Sequence, residues 1–170
     1  MITSSPAHLA VVEPGGPDDL LVPGFTASTR LTARQTGSIS IVEHTFAPGS
    51  LVPPHRHTHE DEISYVVAGE IGFRSEDQEV SLRAGGYIVK PRGELHAMWN
   101  ASSEPARMIE IISPAGFESY FVDLAEAIAA AGGQRDPATV GAVAARYGLA
   151  FDFTWVPDLV ERHGLTPQVR

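Results

Sequence analysis

Three histidines stand at alternate positions in PPHRHTHEDEISYVVAGE, residues 53–70: His55, His57 and His59. Three acids follow at once, Glu60, Asp61 and Glu62. Imidazoles and carboxylates at this density bind a divalent metal, move protons, or form a solvated loop. Residues two apart in an extended chain project to the same side. His55 and His57 therefore present two imidazoles to one point. His59 joins them only if the strand stays regular, and the polar THED segment predicts a break there. Glu62 leads directly into ISYVVA, a β-prone run, so its carboxylate stands at the entry of the next strand and can reach back. A second segment, GGYIVKPRGELHAMWN, puts His96 at the start of another strand, after turn signals at Gly85-Gly86 and around Pro91 and Gly93. Two facing hairpins then bring His55, His57, Glu62 and His96 together.

The other polar residues divide by position. His59 is expected to face solvent from a loop, with a contact at the mouth of a pocket as the alternative. Glu60 and Asp61 are expected to be solvated. His44, in SISIVEHTF, is a candidate for the lining of a pocket. Met98 shares the parity of His96 and is expected to face the interior with Ser64 and Val66, as pocket lining or as plain core. Trp99 has the opposite parity and is expected to pack outward, on a helix or a partner subunit. Gly49, Gly69, Gly85 and Gly93 read as turn residues, and Asn100 as a tie at a strand end. His8 and His163 have no expected role.

These residues need a scaffold, and the chain supplies one domain's worth of sequence. It has 170 residues, 43% of them hydrophobic and 19% charged, enough for a core. Gly 16 and Pro 13 suggest many turns. Residues 1–24, rich in Pro, Gly and Asp, read as an arm with one short edge strand at Leu9–Val12. From residue 25 to about 115, short β-prone runs recur between turn signals, among them SISIVEHTF, EISYVVA, GYIVK and ARMIEII. That spacing predicts an all-β sandwich or barrel. The period then changes. Phe117, Tyr120, Phe121, Leu124 and Ile128 fall at helical spacing, stopped by Gly132-Gly133. Further helices are predicted after Pro137 and over Pro157–His163, so residues 116–170 read as a helical extension packed on the barrel.

Charge and composition exclude several classes. The net charge of −9 argues against a nucleic-acid partner or an anionic membrane surface. The tail from residue 134 carries four Arg and four acidic residues, too balanced for a DNA-binding element. Zero cysteines exclude disulfides, zinc–thiolate sites and thiol catalysis. No run approaches the ~20 apolar residues of a membrane span. The N-terminal residues have neither the basic nor the apolar segment of a secretory signal, so a cytoplasmic location is expected.

The two polar segments resemble the paired motifs of the cupin superfamily. The first motif, G-x5-H-x-H-x4-E-x6-G, is met by Gly49, His55, His57, Glu62 and Gly69. The second, G-x5-P-x-G-x2-H-x3-N, is met by Gly85, Pro91, Gly93, His96 and Asn100. The resemblance implies a double-stranded β-helix, or jelly-roll barrel, with a C-terminal helical extension. It implies one divalent transition metal per chain, held by His55, His57, Glu62 and His96. Three imidazoles and a carboxylate suit Fe, Mn, Ni, Co, Cu or Zn, and leave positions open for water or substrate. In addition, SPAGFESYFVDL is similar to the segment that follows the barrel in quercetinase-like bacterial monocupins. That likeness implies a dioxygenase acting on a small aromatic or enolic substrate, with Glu62 as both ligand and catalytic base. The alternatives are a non-redox metal-dependent cyclase or isomerase, or a non-catalytic binder of small molecules or metal. A homodimer is expected, with the arm lying across a neighbour.

Overall fold

The computed structural model describes residues 9–167. Its elements, in chain order, are β1 (Leu20–Val22), β2 (Phe25–Leu31), α1 (Ala33–Thr36), β3 (Ser40–Phe46), β4 (Ser50–His57), β5 (Asp61–Ala68), β6 (Glu70–Ser75), β7 (Gln78–Arg83), β8 (Tyr87–Lys90), β9 (His96–Trp99) and β10 (Ala106–Ser113). Then follow α2 (Ser119–Ala130), α3 (Pro137–Arg146), β11 (Leu149–Phe151), a 3₁₀ turn (Phe153–Trp155), α4 (Val156–His163) and β12 (Thr166–Pro167). One sheet has the order β1-β2-β3-β10-β5-β8; the other runs β11-β4-β9-β6-β7, with β12 beside β4. The two face each other as the halves of a jelly roll.

Period-two alternation decides what each strand buries. Along β3, Ser40, Val42, His44 and Phe46 are buried and the residues between them half-exposed; β10 does the same with Ala106, Met108, Glu110 and Ile112. The apolar ones among these, Val42, Phe46, Ala106, Met108 and Ile112, form the main core with Val66, Ile71, Phe73 and Met98. β9 is buried on both faces, because a second cluster covers its outer side: Leu51, Ala97 and Trp99 pack against Leu159 of α4 and Leu165. Trp99 thus packs outward onto a helix of its own chain. Gly72 makes room for it, since a Cβ there would lie 2.3 Å from the indole.

Residues 9–18 form no strand, and Leu9 and Val11 are exposed, so the edge strand expected at Leu9–Val12 is absent. The segment expected to be an arm contributes β1, which pairs with β2. Between β2 and β3 stands the short helix α1, capped by Thr32 and Gln35 acting on each other's backbone. The C-terminal segment is not helical throughout. β11 pairs with β4 from Leu149 opposite His57 to Phe151 opposite His55, and β12 pairs with β4 at Ser50 and Leu51. The tail therefore clamps the strand that carries two candidate ligands. His8 lies outside the described residues. No helix among those described is long and apolar enough to cross a membrane.

Candidate metal centre and its cavity

β4 carries His55 and His57, and β5 opens with Asp61 and Glu62. The chain leaves regular structure at Thr58–Glu60, as the THED segment predicts. Thr58 secures the break, accepting Gly148 as partner by donating both its N–H and its hydroxyl to that carbonyl. Opposite β9, the register of β4 slips between Val52 and His55. This irregularity lets Val52 and His55, three apart, both border one cavity. His96, the first residue of β9, stands opposite His55.

The ligand atoms of His55, His57, Glu62 and His96 all lie within 4.8 Å of one another, and all four residues are buried. Two imidazoles are oriented from behind. His55 donates from Nδ1 to the Pro53 carbonyl at 2.8 Å, and His96 from Nδ1 to the Glu94 carbonyl at 3.1 Å. Each therefore turns an unprotonated Nε2 toward the cluster. Glu62 sits between imidazoles, with Oε1 3.3 Å from His57 Nε2 and Oε2 3.2 Å from His96 Nε2.

Burial is the main cause holding His55 and His96 below the ordinary imidazole range; for His55 the neighbouring imidazoles add to it. Burial pushes the Glu62 carboxyl up, but Lys90, His57 and His96 together more than offset this and hold it well below the usual carboxylate range. His55 and His96 are thus neutral imidazoles beside an ionised carboxylate, the protonation state in which such groups bind a metal. The residues fit such an ion on a second count. His96 Nε2 is buried without a hydrogen-bond partner and turns its lone pair toward Glu62 Oε2, 3.2 Å away. A cation satisfies both, and an N₃O donor set suits a divalent transition metal.

Glu60 is buried rather than solvated, because it folds in behind His57: its Oε2 lies 3.7 Å from His57 Nδ1. Asp61 is half-exposed and pairs with Arg92, whose hydrogen bonds and charge lower its carboxyl to about 2. His59 is exposed and packs on the Gly148 turn, outside the cavity wall. Ser64 and Val66 point inward but are sealed in the core away from that wall. His44 and Met98 do line the cavity. Asn100 ties its strand end by donating to the carbonyls of Phe46 and Glu104. His163 has a structural role: its ring lies 4.9 Å from that of Trp99, and Nε2 is 3.0 Å from Glu79.

The cavity has a volume of about 90 Å³ and opens onto His55, His57 and Glu62. Its walls are mainly apolar and aromatic: Phe25, Phe117, Tyr120, Phe121 and Phe151, with Leu124. The stripe read from the sequence as one face of a helix is its roof. Phe117 presses edge-on against His57, with ring centres 4.3 Å apart, and stacks on Tyr120 at 5.1 Å. Burial pushes the Tyr120 phenol up, so it stays protonated. Arg135, between α2 and α3, also borders the cavity.

Two buried charges went unread in the sequence. Lys90 lies 2.9 Å from Glu62 Oε2 and 2.8 Å from Glu110 Oε2. Parity was the available signal. Glu110 alternates in phase with Met108 and Ile112, and Lys90 with Ile88, so both point into the barrel.

Residues 42–112 match the family described as Cupin domain, which supports placement in the cupin superfamily. Over 85 residues the chain is 32% identical to Germin-like protein subfamily 2 member 2 of Arabidopsis thaliana, covering 47% of this chain and 39% of that protein. It spans about two fifths of the length of the plant relatives it matches. Over 114 residues it is 29% identical to tetracenomycin polyketide synthase protein TcmJ of Streptomyces glaucescens, covering 67% of this chain and 69% of that protein. Among solved structures, KdgF from Halomonas sp. superposes with a TM-score of 0.52 at 25% identity, covering 57% of this chain and 86% of that one. The two antiparallel sheets with helices following them are the cupin fold.

Proposed function

We propose that this chain is a metal-dependent cupin enzyme, and that it acts as a dioxygenase on a small aromatic or enolic substrate in the manner of quercetinase-like cupins. The observation that carries this reading is the junction of the four-ligand cluster with an aromatic-walled cavity. His55, His57, Glu62 and His96 hold one divalent metal. Bound there, a metal supplies Lewis acidity toward a substrate oxygen and, if redox-active, a means of engaging dioxygen. The chain's own groups do the rest. Phe117, Tyr120 and Phe121 cover a flat ring and exclude water from it. Glu62, already ionised, accepts the proton of a substrate hydroxyl. The Tyr120 hydroxyl, kept neutral by burial, donates to a substrate oxygen.

A second reading is a non-redox cyclase. It draws on the match to TcmJ, named for a polyketide synthase, which covers 69% of that protein. The same aromatic walls suit a polyphenolic ring, and the metal would then serve only as a Lewis acid. The deciding experiment loads metal-stripped protein with Fe(II), Mn(II), Ni(II) or Zn(II) and follows oxygen uptake with a panel of hydroxylated aromatics. Oxygen uptake with a redox metal and none with Zn(II) supports the dioxygenase. Turnover with Zn(II) in the absence of oxygen overturns it in favour of the cyclase. Binding without turnover under any metal overturns both.

A further inference from the structure

We propose that Lys90, itself held by Glu110, is the positioning residue for the Glu62 carboxylate and sets how tightly the site binds a divalent cation. The inference rests on reading His55, His57, Glu62 and His96 as a metal site. The placement begins with strand register. Lys90 of β8 stands directly across from Glu62 of β5, and Glu110 of β10 directly across from Ser64 of β5. Three adjacent strands thus present four polar side chains on one inner face.

The contacts form a closed string. Lys90 Nζ is ion-paired with Glu62 Oε2 at 2.9 Å and donates to Glu110 Oε2 at 2.8 Å and to Met98 Sδ at 3.9 Å. An ammonium has three N–H groups, and three partners account for them. The other oxygen of Glu110 accepts from Ser64 Oγ at 2.9 Å. Lys90 and Glu110 are each 1% exposed, and neither borders the cavity. They act on substrate only through Glu62, so they are not catalytic residues.

Stability does not account for the string. Withdrawing an ammonium and two carboxylates from water is costly, and apolar side chains of similar volume commonly serve a core as well or better. The surrounding layer is filled that way by Val42, Val66, Met108 and Ile112. What the string supplies is direction. The terminal torsion of a glutamate is broad, and a cation behind Oε2 restricts it. Oε1 is then kept against His57, and the carboxylate stays within the ligand cluster when the site is empty.

The test removes both members of the pair together, so that neither is left buried without its partner. The double variant Lys90→Met, Glu110→Gln and the single variant Ser64→Ala are stripped of metal and compared with the parent protein. Zn(II) affinity is read by titration calorimetry, the Co(II) ligand-field spectrum by absorption, and folding by thermal unfolding. The double variant is expected to fold and to melt no lower than the parent. Its Zn(II) affinity is expected to fall by roughly tenfold to a hundredfold, with a shifted Co(II) spectrum. Ser64→Ala, which loses one hydrogen bond behind Glu110, is expected to bind several-fold more weakly. Parental affinity and spectrum in the folded variants overturn the positioning role while leaving the metal site standing. If the double variant does not fold, parental affinity and spectrum in Ser64→Ala overturn it. A parent protein that binds neither ion overturns the metal reading itself.

Discussion

His44 gives the chain a specific weakness toward acid. It projects inward from β3, stacked on Phe25 at 4.9 Å and edge-on to Phe121 at 5.5 Å, with Nδ1 3.3 Å from the Thr26 carbonyl oxygen. Burial lowers its pKa from 6.5 to about 4, and the Thr26 carbonyl offsets this only in part. The native protein therefore holds His44 neutral where the unfolded chain protonates it. Between pH 6.5 and about 4 the unfolded state binds the extra proton, so stability falls as pH drops through that window; above it His44 adds no slope. At pH ~4.5 the unfolded side chain is about two units below its own pKa, which corresponds to about 2.7 kcal/mol. Partial protonation of the native state returns a little, leaving about 2.5 kcal/mol. Against the ~5–15 kcal/mol stability of an ordinary domain this is a large share. The perturbation is His44→Phe, which keeps an aromatic ring between Phe25 and Phe121. Urea unfolding of metal-free protein at pH 7.5 and pH 4.5 is the assay. The parent is expected to lose about 2.5 kcal/mol more than the variant across that interval. The other histidines are common to both proteins and cancel. Equal losses would refute the burial argument.

Three further outcomes are expected. Metal should be retained below pH 6.5, because burial holds His55 and His96 unprotonated there, and should be lost in stronger acid; elemental analysis after dialysis locates the loss. Loss centred at or above 6.5 contradicts the buried imidazoles, and full retention to about pH 4 contradicts a three-histidine site. Gly72→Ala places a methyl 2.3 Å from the Trp99 indole and should cost about 1–3 kcal/mol or more, read as a lowered melting temperature. An unchanged melt would show that the indole moves aside. Leu159→Ala empties the fully buried anchor of α4 and should cost about 2–5 kcal/mol by urea titration. A loss under ~1 kcal/mol would mean that α4 is held by its ionic contacts instead.

The ligand quartet was legible in the chain because strand parity and turn residues are local. His55 and His57 share a side by a two-residue step, the THED break resets the register, and Glu62 follows at a strand entry. The same rule, applied to ARMIEII and YIVK, points Glu110 and Lys90 inward, but parity alone does not say that two charges on one inner face meet as a buried pair. Glu60 defeats the local rule: it lies in the break itself, and only the folded turn brings it behind His57. The amphipathic stripe of α2 was equally plain, yet nothing local says what a stripe covers. Phe117, Tyr120 and Phe121 become the cavity roof only because β11 returns to pair with β4 and carries the helices over the barrel mouth. His59 turned outward for a related reason, held there by contact with the Gly148 turn, remote in sequence. Which side a residue faces is a matter of backbone geometry within a few positions. What it meets there is decided by burying apolar faces against partners far along the chain, and only the tertiary structure settles that.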